Sequence, residues 1–377
     1  MFSQRSQEIT PFYVMELLEK AKELEKEGRN IIHLEVGEPN HDTPEVIKNA
    51  AIKAIKDNKT KYTHSQGLLE LREAIAENYY QSYGVTISPE RIIVTSGTSN
   101  ALFLIFSLLL ENKREVIIPK PYYACYPNYI RFLDGIPMTF DISEKNNYQY
   151  ELPKIKEKIN DHTAALLINS PSNPTGAIQS KEVFENLAEL NIPIISDEIY
   201  QGLVYDEVSH SVLEFNSEAF IINGFSKLHA MTGWRLGYLI APENAIRPMQ
   251  KIQQNFYISA NEFVQWAGIA ALKNEKSFIP DMVQEYKERR DIALKSLKEI
   301  GLNISYTPQG AYYILIDVSR YTDDSMAFAL DILQKTGVAV TPGLDFGVND
   351  HIRITYANSK ENLRAGIKKL GDYLASY

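Results

Sequence analysis

From Arg91 to Ile240 the chain repeats one pattern, a short apolar run followed in most cases by a helical stretch. The runs are RIIVT (91–95), EVIIP (115–119), PMTFDI (137–142), AALLINS (164–170), IPIIS (192–196), AFIIN (219–223) and LGYLI (236–240). A strand covered on both faces reads as a continuous apolar run, whereas a half-solvated strand alternates. Runs of this kind separated by helices predict an α/β fold, a mainly parallel sheet with helices on both faces. The most apolar piece, ALFLIFSLLL (101–110), is too short to cross a bilayer and is expected as a buried helix.

Outside that region the texture changes. Residues 11–28 read as an amphipathic helix with Met15, Leu18, Ala21 and Leu24 on one side, and helical patterns recur at 44–57 and 68–83. After about Glu275 come a long charged helix, the short strands GAYYILIDV and HIRITYA, and helices at 324–336 and 359–376. A chain of 377 residues suits two domains. The expected division is a large domain over 41–275 and a smaller α+β domain over 276–377, joined by the N-terminal segment 1–40.

Charged residues stand where strands end. Lys227 follows the run AFIIN within IINGFSKLHAMTGWRLGYLIAP (221–242), with Arg235 eight residues on. Asp197 and Tyr200 lie in ISDEIY (195–200), Asn173 in NSPSNPTG (169–176), and Ser96, Gly97 and Thr98 in VTSGTSN (94–100). In open α/β sheets the strand C-termini carry the ligand site. A strand–Ser-Gly-Thr–helix junction offers backbone amides and a helix N-terminus to an anion. Two X-Pro bonds, Ser170-Pro171 and Asn173-Pro174, make the Asn173 loop rigid and open to cis geometry.

Together these stretches resemble the class I aminotransferases dependent on pyridoxal 5'-phosphate (PLP), in order and from about Ile31 to the C-terminus. The resemblance implies that Lys227 forms the Schiff base with PLP and then moves the substrate α-proton. Asp197 would pair with the pyridinium nitrogen, and Asn173 and Tyr200 would bind the ring oxygen. Tyr123, in PKPYYACYP, matches the aromatic stacked on the ring, with neighbouring Tyr122 the competing choice. Ser96, Gly97, Thr98, Ser226 and Arg235 would form the phosphate cup, completed by Tyr62 of a second subunit. Arg353, in HIRITYA, matches the clamp for the substrate α-carboxylate, with Gly37 of VGEP giving close backbone approach. Many relatives carry serine three residues before the lysine; here that position is Gly224.

An ordinary lysine has a pKa of roughly 10.4 and is useless as a base at neutral pH, so Lys227 needs burial and a neighbouring cation. Arg235 and the protonated cofactor ring are the expected cations. No arginine lies from Ile252 to Asn261, where dicarboxylate-specific relatives bring a second one across a dimer interface. Phe12, Tyr13 and Tyr257 instead suggest a pocket for a neutral or aromatic side chain.

The net charge of −9 argues against a nucleic-acid footprint. With Cys125 the only cysteine, no internal disulfide is possible, which agrees with a cytoplasmic protein. His33, His64 and His229 lack metal-ligand spacing, GLDFG (343–347) lacks phosphate-loop spacing, and KERR (287–290) is read as a solvated helix face. The expectation is a homodimeric enzyme of amino-acid metabolism with no membrane partner. It would pass an amino group from an L-amino acid to a 2-oxo acid by ping-pong transfer. A PLP-dependent C–S lyase on the same constellation is the alternative, and a non-catalytic PLP-binding regulator the remote one.

Overall fold

The computed structural model describes residues 2–376. After a two-residue strand β1 (Ile32–His33), the apolar runs become β2 (Ile92–Thr95), β3 (Glu115–Lys120), β4 (Ile136–Asp141), β5 (Thr163–Asn169), β6 (Ile194–Asp197), β7 (Phe220–Gly224) and β8 (Gly237–Ile240). The last seven form one sheet in the order β2-β8-β7-β6-β5-β3-β4. All its pairings are parallel except those of β8, which runs against both neighbours.

Except at the edge strand β4, the strands divide their apolar side chains between two cores. Ile92, Val94, Leu166, Ile168, Ile194 and Ile221 belong to one. Ile93, Ala165, Leu167, Ile195 and Ile222 belong to the other. That period of two is why the runs read as continuous: both faces of the pleat are covered. The run at 101–110 is a helix, Thr98–Leu109, with Leu102, Leu104, Ile105 and Phe106 buried. Among the described residues no helix is long and apolar enough to cross a membrane.

The C-terminal part adds β9 (Tyr313–Asp317), β10 (Val338–Ala339), β11 (Thr341–Pro342) and β12 (His351–Thr355). Strands β11-β12-β9 form an antiparallel sheet, and β10 pairs in parallel with β1. A third core joins this sheet to the N-terminal helix through Leu17, Ile32, Ile314, Ile316 and Ile354, and it includes Tyr200 from the loop after β6.

Two expectations are corrected. The N-terminal helix, Tyr13–Lys26, buries Val14, Leu17, Ala21 and Leu24, while Met15 is 47% exposed. Both phases share Ala21 and Leu24, so apolar spacing did not separate them. The rotation follows from Asp345 of the GLDFG turn, whose carboxylate accepts the helix's first amides from Tyr13 (3.0 Å) and Val14 (2.9 Å). The KERR segment is not a solvated face, because Arg289 and Arg290 are buried. Arg290 donates to Pro308 O (3.0 Å) and Asp206 (2.9 Å), and Arg289 reaches Asn40 and Glu285. Buried guanidinium groups require such partners, and apart from Glu285 on the same helix these come from other segments.

Candidate active site

The C-terminal edge of the large sheet collects the charged residues. β5 ends at Asn169 and β6 at Asp197, in register with each other, and Lys227 follows β7 by three residues. Because β8 is antiparallel, its start lies at the same edge and brings Arg235 there. Ser96-Gly97-Thr98 leads from β2 into the helix Thr98–Leu109. The antiparallel sheet contributes Tyr313 and Arg353, and the N-terminal segment contributes Phe12, Val14 and Gly37.

The resulting cleft is lined by Gly37, Thr98, Tyr123, Asn173, Asp197, Tyr200, Lys227 and Arg353 among the expected residues. Lys227 keeps some exposure along the cleft, but its amine is enclosed and donates to Gly37 O at 2.6 Å. Burial lowers its pKa to about 8, helped first by Arg353 and less by Arg235, against Glu38 and Asp197. Arg353 was not foreseen in that role. β12 lies far from Lys227 in sequence, so nothing local signals the approach.

Asp197 is buried, which raises its pKa to about 6 against hydrogen bonds from Tyr126 OH (2.7 Å) and Ile199 N (3.2 Å). Each carboxylate oxygen thus takes one protein donor and retains lone pairs. No helix follows β6 directly, so Asp197 is not a helix cap. Asn169 donates from its side chain to Asp197 O (2.8 Å) and accepts from Asn173 N (2.8 Å). The peptide bonds before Pro171 and Pro174 are both cis.

Arg353 donates to Asn173 Oδ1 (2.7 Å), Glu35 O (2.6 Å) and Thr341 Oγ1 (3.0 Å). A guanidinium has five N–H donors, so these bonds orient it and leave donors for a carboxylate. Burial holds the Tyr200 phenol well above its ordinary pKa, and its hydroxyl is 2.7 Å from that of Tyr313.

Ser96, Gly97, Ser226 and Arg235 lie beside the cleft. Gly97 has φ +82°, and a Cβ there would meet Arg235 Nη2 at 2.5 Å, so only glycine admits the guanidinium this close. The Ser96 amide is taken by Asn100 Oδ1 at 3.1 Å. Ser226 is buried in the turn before Lys227. Tyr62 is 81% exposed and is not among the residues lining this cleft. At Gly224 a Cβ would fall 2.9 Å from Gly237 Cα across the β7–β8 pair, so the two glycines occupy one close approach.

Tyr123 and Tyr122 part company. Tyr123 lines the cleft edge-on to Tyr126 (5.2 Å) and Phe12 (6.3 Å), whereas Tyr122 turns its hydroxyl toward Gly347. Phe12 lines the cleft, but Tyr13 and Tyr257 are not among its lining residues; Tyr257 packs on Phe103 (5.9 Å). Tyr126, Asn169 and Tyr313 were missed. Asn169 carried the same signal as Asp197, a polar residue closing an apolar run. Nothing in the sequence beside Tyr126 or Tyr313 separates a site phenol from a core aromatic.

The residues fit pyridoxal phosphate. A cation over a glycine beside a helix N-terminus suits a phosphate, a buried carboxylate with spare lone pairs suits a protonated ring nitrogen, and a lysine of lowered pKa suits its aldehyde. Among the described residues no group of His, Cys, Asp and Glu could hold a metal.

A family model, "Aminotransferase class I and II", matches residues 29–370. The chain is 42% identical to the (5-formylfuran-3-yl)methyl phosphate transaminase of Methanocaldococcus jannaschii, over 99% of this chain and 100% of that protein. It superposes on the Thermus thermophilus aspartate aminotransferase with maleate at a TM-score of 0.95, with 37% identity and 99% of each chain covered. A Methanococcus jannaschii protein with an active site similar to kynurenine aminotransferases gives a TM-score of 0.92 and 42% identity, covering 99% of this chain and 100% of that one.

Proposed function

We propose, from the premise that this chain belongs to the class I and II aminotransferases, a division of labour around Lys227 that serves a neutral or aromatic amino acid. The protein is a PLP-dependent aminotransferase acting on amino and 2-oxo acids. When bound, the cofactor's conjugated ring supplies the electron sink for the bond-breaking step. In the proposal the large domain, 41–275, holds the cofactor. The small domain, 1–40 with 276–377, brings the carboxylate clamp.

Lys227 carries the cofactor and, once free, takes the α-proton with its neutral amine and returns it to the acceptor carbon. Asp197 holds the ring nitrogen protonated. Asn173 and Tyr200 donate to the ring oxygen, and Tyr123 covers the ring. Ser96, Gly97, Thr98, Ser226 and Arg235 hold the phosphate. Arg353 takes the α-carboxylate in a bidentate fork, and Gly37 keeps backbone close to it. The observation that carries this reading is the lowered pKa of Lys227 within a few side chains of Asp197 and Arg353. No observation favours a lyase or a regulator.

The side-chain preference rests on the cleft wall, where Phe12, Val14, Met15, Val36 and Leu102 are all apolar. Asn255, at the place of the dicarboxylate arginine, donates to Lys251 O of its own helix. The relatives' names range over aspartate, a furan phosphate and kynurenine, so their names do not decide the matter. A side-chain carboxylate buried there without a cation costs several kcal/mol, roughly a hundredfold or more in discrimination. In parallel single turnovers, phenylalanine, methionine and leucine should convert the bound cofactor faster than aspartate. Aspartate leading by about tenfold or more would contradict the preference.

A homodimer is part of the proposal. It is supported by the exposure of Tyr62, Phe256 and the neighbouring Tyr257 and Ile258, since clustered exposed apolar side chains mark an interaction surface. A cytoplasmic location is the companion reading and rests on the single cysteine. One cell extract checks both. The enzyme should be recovered in the cytoplasmic fraction at twice the 42.9 kDa chain mass, and a monomer or an exported form opposes them.

A further inference from the structure

Tyr313 on β9 touches both halves of the proposed machinery. Its ring lies against the Arg353 guanidinium, 4.3 Å from ring centre to Cζ, with Phe346 also against it at 4.9 Å. Its hydroxyl is 2.7 Å from the Tyr200 hydroxyl. The same hydroxyl reaches Gly37 so closely that a Cβ there would fall 2.1 Å from its oxygen. The residue is 1% exposed.

We propose that Tyr313 is a positioning residue with two separable parts: its ring sets the plane of Arg353 for the substrate carboxylate, and its hydroxyl orients the Tyr200 phenol proton toward the cofactor's ring oxygen. The proposal rests on the roles given above to Arg353 and Tyr200.

The ring part follows from geometry. Asn173, Glu35 and Thr341 fix the edge of the guanidinium through its terminal nitrogens, but hydrogen bonds in the guanidinium plane resist tilting poorly. Two aromatic faces resist it directly, and a desolvated cation is attracted to such a face.

The hydroxyl part follows from donor counting. Two phenols 2.7 Å apart share one hydrogen bond, and either can donate. With an acceptor beyond Tyr200, the order Tyr313 to Tyr200 to ring oxygen gives both of these protons an acceptor, and each bond polarises the next. The Tyr312 phenol, which also faces the Tyr313 hydroxyl, donates to Gly37 O (3.2 Å). The reverse order directs the Tyr200 proton back at Tyr313. A phenol is already protonated near neutral pH and burial raises both of these further, so both protons are available.

Tyr313→Phe keeps the ring and loses the hydroxyl, while Tyr313→Met fills much of the space and loses the aromatic face. Two readouts on the holoenzyme separate them. One is the dissociation constant of 3-phenylpropanoate, a carboxylate with no amine to react, followed by the bound cofactor's absorbance. The other is the pH titration of that absorbance without ligand.

Tyr313→Met should weaken 3-phenylpropanoate about tenfold. Tyr313→Phe should change it less than about threefold but move the absorbance titration upward by about half a pH unit. An Arg353→Met control isolates the underlying reading. If Arg353→Met loses affinity and Tyr313→Met does not, the ring part is overturned. If Arg353→Met itself binds normally, the clamp assignment falls, and the ring part falls with it. An unmoved titration in Tyr313→Phe overturns the hydroxyl part. Should Tyr313→Met fail to fold, Tyr313→Leu tests the ring part by the same dissociation constant, an unchanged value overturning it.

Discussion

Replacing Lys227 with alanine is expected to abolish multiple turnover while leaving the cofactor bound noncovalently. On the proposed roles, the variant loses both the covalent attachment and the amine that moves the α-proton. General acid–base catalysis alone is worth about 10²–10⁴ in rate, and loss of the covalent route adds to it. Binding should persist because Asp197, Asn173 and the Gly97–Arg235 cradle are untouched. The wild-type lysine should also carry its own pH signature. A pKa of about 8 leaves roughly one amine in ten neutral at pH 7, against about one in three thousand for an ordinary lysine. Loading of PLP onto the apo-protein should therefore rise with pH and level off just above 8, not above 10.5. Steady-state transamination and loading rates between pH 6 and 11 check both statements. A variant turning over near the wild-type rate would remove Lys227 from the chemistry.

Asp197→Ala should slow α-proton abstraction by about three orders of magnitude and leave the fold in place. A carboxylate at about 4 Å from a protonated ring nitrogen, at an effective dielectric of 20, contributes on the order of 4 kcal/mol. That is about three powers of ten, less whatever desolvation removes. Among the described residues the substitution orphans Tyr126 OH and Ile199 N, a cost of about 1–3 kcal/mol for a buried donor. It also removes a carboxylate whose burial is unfavourable enough to raise its pKa to about 6. Thermal melts should therefore shift modestly while stopped-flow deprotonation slows severely. If the rate stays within a few-fold of wild type, Asp197 is a structural residue and the ring is oriented by something else.

The large sheet was legible because its strands are buried on both faces and its connections are local. Each apolar run announced a strand, and the polar residue closing it, Asp197 among them, announced the edge that holds the site. β8 was legible as a strand but not in direction. Its reversal, which brings Arg235 to the working edge, depends on pairing with β2 and β7. What escaped was set by contacts between distant segments. Val14 rather than Met15 faces inward because Asp345, some 330 residues on, takes the helix's first amides. Arg289 and Arg290 looked solvated because Asp206, Pro308 and Asn40, which satisfy them, come from other parts of the chain. Arg353 lowers the pKa of Lys227 from another sheet. Tyr126 and Tyr313 carry no local mark, since an aromatic in an apolar run reads as core until its hydroxyl is seen to have a partner.

The central claim is that Lys227 is the residue joined to the cofactor, and it can be read directly. Holoenzyme is treated with borohydride to reduce the lysine–cofactor linkage, then digested and mapped by mass. The predicted result is a single modified tryptic peptide, Glu182 to Arg235, left uncleaved at Lys227 and carrying the cofactor's mass there, with no label after substrate amine has displaced the lysine. A label on any other lysine, or none on Lys227 in fully loaded enzyme, would contradict the account.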